Sequence, residues 1–149
     1  VRIFTPEKEM PFAGHPTIGT AAALALVEGA LGGATQGTLT LDLKIGTVPV
    51  DVRIEGDGLA WAELSAAKMP EIGPSVPTLN TLAEILSLDA KDLVGGSLSP
   101  AAVSCGYPFL LVPLKSVDAV RRARVRVDLW EQTLKRSWAP EILVAARDA

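Results

Sequence analysis

From residue 18 to residue 31 the chain reads Ile-Gly-Thr-Ala-Ala-Ala-Leu-Ala-Leu-Val-Glu-Gly-Ala-Leu, and Glu28 is its only charged side chain. A helix that is apolar all round has to be buried on all sides. The rest of the chain is therefore expected to supply a sheet that wraps this helix as the centre of the fold. Gly29, Gly32 and Gly33 are placed to end it. Extended to residue 37, the run is broken by Glu28 and five glycines, so it does not read as a membrane span.

The covering sheet follows directly. Residues 38–45 alternate strictly, with Leu39, Leu41, Leu43 and Ile45 on one face. A turn is expected at Gly46-Thr47. Residues 48–54 alternate again, with Val48, Val50, Val52 and Ile54 inward. Residues 55–58 (Glu-Gly-Asp-Gly) form a second turn, and residues 59–64 a third strand. This is an antiparallel meander with one apolar face.

Residues 70–77 contain Pro70, Gly73, Pro74 and Pro77 and read as a linker. Thr78 caps a helix running to Leu88, with Leu79, Leu82, Ala83 and Leu86 on one side. Residues 89–93 add a turn, and Gly95-Gly96 breaks it. Strands at 101–104 and 109–114 flank Cys105-Gly106-Tyr107-Pro108. The unbroken apolar run 109–113 is expected to be covered on both faces. Ser116 caps a short helix to Ala123, Asp128 caps another over 129–135, and 141–146 is a last strand. Arg121, Arg122, Arg124 and Arg126 read as a solvated helix face and loop. The fold class is α+β, in two pieces joined near 70–77.

Ahead of the apolar helix stands a loop, Pro11-Phe12-Ala13-Gly14-His15-Pro16-Thr17, preceded by a short strand at 2–5 and a solvated Glu7-Lys8-Glu9. Gly14 permits positive φ or close approach of another molecule. Pro16 suits a first helical turn. Thr17, Gly19 and Thr20 keep that turn small and rich in donors. Free N–H groups and partial positive charge at a helix entrance suit a carboxylate or phosphate. His15, the only histidine, stands beside it. Taken alone, such a histidine is most often a turn residue.

Composition removes other classes. The net charge of −3 argues against nucleic acid or an anionic membrane as partner. The single cysteine, Cys105, allows no internal disulfide and fits a reducing, cytoplasmic setting. One Cys and one His do not make a metal site. The glycine pairs at 32–33 and 95–96 lack the strand–turn–helix context of a nucleotide site. Cys105 is expected to be a small buried hydrophobe.

The stretches Arg2-Ile-Phe-Thr-Pro6, Pro11-Phe-Ala-Gly-His-Pro-Thr17 and Gly19-Thr-Ala21 together resemble the signature of the PhzF-like family of phenazine-biosynthesis isomerases, which have the diaminopimelate-epimerase fold. Residues 39–64 are similar to the family's meander, and 105–114 to its passage into a second domain. The resemblance implies two similar domains, each a sheet around a central helix, with the active site between them. Here they would be two incomplete pseudo-repeat halves: 1–69 the second half of the first domain, 70–100 linker and helix, and 101–149 the first half of the second. His15 matches the family's active-site histidine. Gly14, His15, Pro16 and Thr17 match the part that holds a substrate carboxylate.

The implied activity is a proton shift on a small carboxylate-bearing metabolite, without a cofactor. The family's proton-transferring glutamate and its Asp-Pro-x-Thr-Gly-Ser-type loop have no counterpart in the sequence. Glu7 and Glu9 are weak substitutes, and Cys105 is not at a helix entrance where a cysteine pair would work. The chain, which begins at Val1 inside an expected strand, is thus expected to be a piece of a longer protein. The alternative is a non-catalytic small-anion-binding module or an inactive fragment. Unpaired edges would be met by packing of the two halves as one composite domain, by a homodimer, or by aggregation.

Overall fold

The computed structural model describes every residue except Asp57, Ala67, Asp148 and Ala149. It divides into two compact units, Val1–Met69 and Pro70–Ala149.

The first unit begins with a hairpin of β1 (Ile3–Phe4) and β2 (Glu9–Met10). The Thr5 hydroxyl accepts from the Glu7 and Lys8 amides and tightens the turn. Glu9, expected in a solvated loop, is therefore a strand residue opposite Phe4. Its carboxylate takes two hydrogen bonds from the Arg2 guanidinium, at 2.9 and 3.1 Å.

Helix α1 runs over Gly14–Leu26, with Val27 as its C-cap. It starts earlier and stops earlier than the apolar run. Gly29 has φ +63°, and the Ala30 amide reaches back to the Leu24 carbonyl at 3.1 Å, closing the helix end as glycine there permits. The meander is β3 (Gln36–Leu43), β4 (Gly46–Glu55) and β5 (Leu59–Leu64), all antiparallel. The first turn is Lys44-Ile45, because Leu43 pairs with Gly46. Gly46, with φ +125°, follows the turn and is already in β4. Asp57, part of the expected second turn, lies outside the described residues.

The inward positions behave as their alternation demands. Leu41, Leu43, Val48, Val50 and Val52 are buried together with Ala21 and Ala25 of α1. The expectation that α1 is buried on all sides does not hold in this chain. Thr17, Ala21 and Ala25 face the sheet, while Leu26 is 40% exposed and Gly19 and Ala23 also lie at the surface. The meander is a single three-stranded layer, and one layer covers one side of a helix.

The second unit opens on β6 (Glu71–Ile72), which pairs with β7 (Ala101–Ser104). The proline-rich stretch is thus partly strand, extended by the Gly73 amide donating to the Ala102 carbonyl at 2.8 Å. β7 pairs antiparallel with β8 (Pro108–Pro113), and β8 pairs parallel with β9 (Glu141–Ala145). A parallel pair needs a crossover. The crossover contains α3 (Val117–Arg122) and α4 (Val127–Thr133).

Helix α2 (Leu79–Ile85) is capped by Thr78, whose hydroxyl accepts from the Thr81 amide. It ends before Leu88, at Leu86, and Ser87 takes φ +55°. A 3₁₀ turn follows at Ala90–Asp92. Ser116 caps α3 through the Ala119 amide. Asp128 does not cap α4: the N-cap is Arg126, and Asp128 sits in the first turn with its carboxylate on the Arg126 guanidinium at 2.7 Å.

The arginine run is exposed, and part of it acts through its backbone. The Arg124 and Arg126 amides donate to the Leu86 and Ile85 carbonyls, satisfying the open C-terminal end of α2. Arg122 bridges Asp118 and Asp92.

The second core holds Leu82, Ile85, Leu86, Leu93, Leu110, Val112, Leu114 and Leu134. β8 is not covered on both faces. Leu110 and Val112 are buried, while Phe109 is 37% exposed and Leu111 half-buried. Cys105 is exposed rather than buried, because it falls in the β7–β8 turn.

Three tests follow from this architecture. Leu82 is fully buried, so Leu82→Ala should destabilise the second unit by about 2–5 kcal/mol; urea titration followed by Trp130 and Trp138 fluorescence reads this. A Cβ at residue 73 would run into the Trp138 ring, so Gly73→Ala should cost about 1–3 kcal/mol in the same titration. The Glu9 carboxyl lies below its ordinary pKa, first through the Arg2 hydrogen bond, then through the charges of Arg2 and Lys44, against desolvation. A lowered carboxyl pKa stabilises the hairpin above the ordinary value, and that gain is lost as pH falls through the lowered one. Arg2→Ala should move the Glu9 titration upward, as followed by carboxyl-carbon NMR.

Candidate functional site

The entrance of α1 is built around an N-cap that caps nothing. Ala13 has φ −152° and ψ 128°, the extended geometry of an N-cap, and no side-chain oxygen to offer. Ser, Thr, Asp or Asn at this position would occupy an amide of the first turn. There is also no acidic residue in that turn. The partial positive charge of the helix end is left uncompensated from within.

Of the donors expected across residues 14–17, the structure narrows the set. Pro16 has no N–H. Thr17 is fully buried. Its amide and its hydroxyl both donate to the Ala13 carbonyl, at 3.2 and 2.7 Å. Thr17 thus holds the first turn down onto the sheet. The Gly14 and His15 amides remain, and among the described residues neither has an acceptor.

Gly14 is the first helical residue and does not use positive φ. A Cβ added there would meet nothing within 4 Å, and the same is true at Gly19. The space over the entrance is open, so another molecule can come close to the backbone. The His15 side chain is exposed at the second helical position. The loop before it is tied to the meander, since the Ile45 amide donates to the Pro11 carbonyl at 3.1 Å. Gly14, His15, Pro16 and Thr17 are therefore together on one turn, with Thr17 anchoring and the other three facing outward or half-buried.

The acidic side chains nearest in sequence are differently employed. Glu9 is engaged by Arg2 and, at 3.8 Å, by Lys44. Among the described residues no three His, Cys, Asp or Glu side chains come together. In the second unit the Tyr107 hydroxyl donates to Glu141 at 3.0 Å and stands edge-on to Phe109. That pairing ties the end of the β7–β8 turn to the first residue of β9.

The empty cap at Ala13 and the Thr17 anchor are features that sequence reading did not single out. The signal for the first was available: an alanine stands where a capping residue belongs. For the second, a threonine four residues after the cap can bond back to its carbonyl.

No helix of the structure is long and apolar enough to cross a membrane, among the described residues.

Comparison with known proteins agrees with this architecture. An uncharacterized isomerase of Mesorhizobium japonicum is 36% identical over 141 residues, covering 93% of this chain and 45% of that protein. The trans-2,3-dihydro-3-hydroxyanthranilate isomerase of Pseudomonas aeruginosa is 35% identical over 121 residues, 80% of this chain and 38% of that protein. Among solved structures, a predicted epimerase from Pseudomonas aeruginosa superimposes with a TM-score of 0.78 at 38% identity, over 96% of this chain and 48% of that one. A phenazine biosynthesis protein of the PhzF family from Bacillus anthracis gives 0.73 at 26% identity, over 99% and 48%. The chain thus spans less than half the length of these relatives. The family model described as phenazine biosynthesis-like protein matches residues 1–148, and with a fold shared with PhzF and epimerase structures, the chain belongs to the PhzF-like phenazine-biosynthesis family.

Proposed function

We propose that this chain carries the carboxylate-holding wall of a cofactor-independent PhzF-like isomerase that shifts a proton on a small carboxylate-bearing metabolite. The observation behind the proposal is the uncapped entrance of α1, with the Gly14 and His15 amides open and the space above Gly14 empty. A carboxylate placed there meets two N–H groups and the positive end of a 13-residue helix. His15 adds a hydrogen-bonding ring beside it. The substrate class agrees with the relative that is a trans-2,3-dihydro-3-hydroxyanthranilate isomerase.

A proton shift needs an acid or base within hydrogen-bond reach of the proton it moves. In this reading that group is a glutamate supplied by sequence outside residues 1–149, and the chain is an internal stretch of such an isomerase. The engagement of Glu9 by Arg2 and Lys44 supports this. The same observation favours a second reading, in which the chain binds small anions and moves no proton.

Calorimetric titration with 3-hydroxyanthranilate tests the common core of both. The unmodified chain should bind, and His15→Ala should weaken binding by about tenfold, the loss of one hydrogen bond to a charged group. Ala13→Asp is the sharper variant. Its carboxylate caps the His15 amide, which should raise helix stability by about 1 kcal/mol while abolishing ligand binding. Failure of the unmodified chain to bind, or binding indifferent to Ala13→Asp, would overturn the proposal. Both readings expect no turnover by residues 1–149 alone; absorbance assays with trans-2,3-dihydro-3-hydroxyanthranilate that found turnover would place the acid or base within this chain and overturn both.

A further inference from the structure

The meander turns its leucines and valines toward α1. Side chains alternate across a strand, so Gln36 and Thr38 of β3, Asp51 and Arg53 of β4, and Trp61 and Glu63 of β5 lie on its outer face. The register sets them in two rows, Gln36–Arg53–Trp61 and Thr38–Asp51–Glu63. The surface here is concave. A cleft of about 360 Å³ is lined by Gln36, Thr38, Asp51, Arg53 and Trp61, with Gly37 and Val52 beneath them. That volume lies in the range of small-molecule sites. The cleft is on the opposite side of the sheet from α1 and shares no residue with the helix entrance.

Part of its polar capacity is spent within the chain. The Thr38 hydroxyl donates to Asp51 Oδ1 at 2.6 Å, and Arg53 Nη2 donates to Glu55 at 2.9 Å. The rest is not. Among the described residues, Asp51 Oδ2, Arg53 Nε and Nη1, the Gln36 side-chain amide and the Trp61 indole N–H have no hydrogen-bond partner. Trp61 is 43% exposed. The Arg53 guanidinium stands 5.1 Å from the centroid of its ring, which holds the arginine's remaining donors at the cleft. A large ring left at the surface beside unused donors and acceptors is a combination suited to binding.

The lining also restricts what can bind. Glu55 and Glu63 flank it and disfavour an anion. Arg53 already occupies the place over Trp61 that a cationic ligand would take, and it hinders a nucleobase, which needs a bare ring face. What the cleft offers is a donor and an acceptor about 6.6 Å apart along one strand, at Arg53 and Asp51, next to the exposed part of an indole. A sugar ring matches this. Each hydroxyl both donates and accepts, and the ring's C–H face is apolar. We propose that the outer face of the meander binds a neutral pyranose sugar, its C–H face on Trp61 and its hydroxyls on Asp51, Arg53 and Gln36. The cleft is open to water and supplies few bonds, so the affinity is about millimolar.

NMR titration of the chain with methyl β-D-galactopyranoside and methyl β-D-glucopyranoside tests this, read at the Trp61 indole N–H and at the Gly37 and Val52 amides. These signals should shift in a saturable way. The galactoside should bind more tightly, because its axial hydroxyl leaves one ring face lined by C–H groups. Trp61→Ala, read at the two amides, should weaken binding about tenfold or more, and Gln36→Ala about fivefold. Both side chains are exposed, so the amide spectrum should otherwise stay folded, and if one variant misfolds the other still decides. Ala13→Asp, at the α1 entrance, should leave the sugar response unchanged. No shift with either glycoside at tens of millimolar, equal shifts in a folded Trp61→Ala or Gln36→Ala variant, or tighter binding of adenosine than of both sugars would overturn the proposal.

Discussion

The contact between the small side chains of α1 and the valines of β4 is what the first unit depends on. Thr17, Ala21 and Ala25 recur at intervals of four and so share one stripe. Val48, Val50 and Val52 recur at intervals of two and share one face of the strand. Small residues on the helix let it approach closely, and each buried valine contributes about 1.5–3 kcal/mol by leaving water. The β3–β4 register keeps Leu41 opposite Val48 and Leu39 opposite Val50. A slip of one residue would turn the whole apolar set outward.

The candidate site inherits its geometry from that contact. Thr17 is the first residue of the buried stripe and also the one that ties Ala13 to the helix, through two bonds to the same carbonyl. Packing thereby fixes the direction of the first turn, and with it the direction of the Gly14 and His15 amides. The site needs no cap of its own, because its shape is held from below. In the proposed reading, a substrate carboxylate takes the place of the side-chain oxygen that Ala13 lacks, with little reorganisation.

The second unit solves the opposite problem. Its sheet carries apolar residues on both faces, yet its own helices lie on one. Here polar chemistry closes the structure at the seams. The carbonyls at the end of α2 are met by the Arg124 and Arg126 amides, Trp130 donates to the Pro140 carbonyl at 2.8 Å, and Tyr107 joins β8 to β9. These bonds position the crossover that a parallel pair requires.

The meander, the helix entrance and the caps at Thr78 and Ser116 were legible from the residues alone. Each rests on local physics: period-two alternation, glycine at a turn, or a hydroxyl within reach of an amide one turn on. The signature around Gly14 and His15 was legible in another way, through the resemblance of residues 2–6, 11–17 and 19–21 to a known family. What the sequence could not determine was coverage. The apolar run at 18–31 and the run at 109–113 both demanded partners, yet only the tertiary structure decided that each finds one on a single side. Cys105 became exposed, and Thr17 became an anchor, by the same rule. Burial depends on which layers exist to cover a surface, and that is a property of the assembled chain, not of any segment within it.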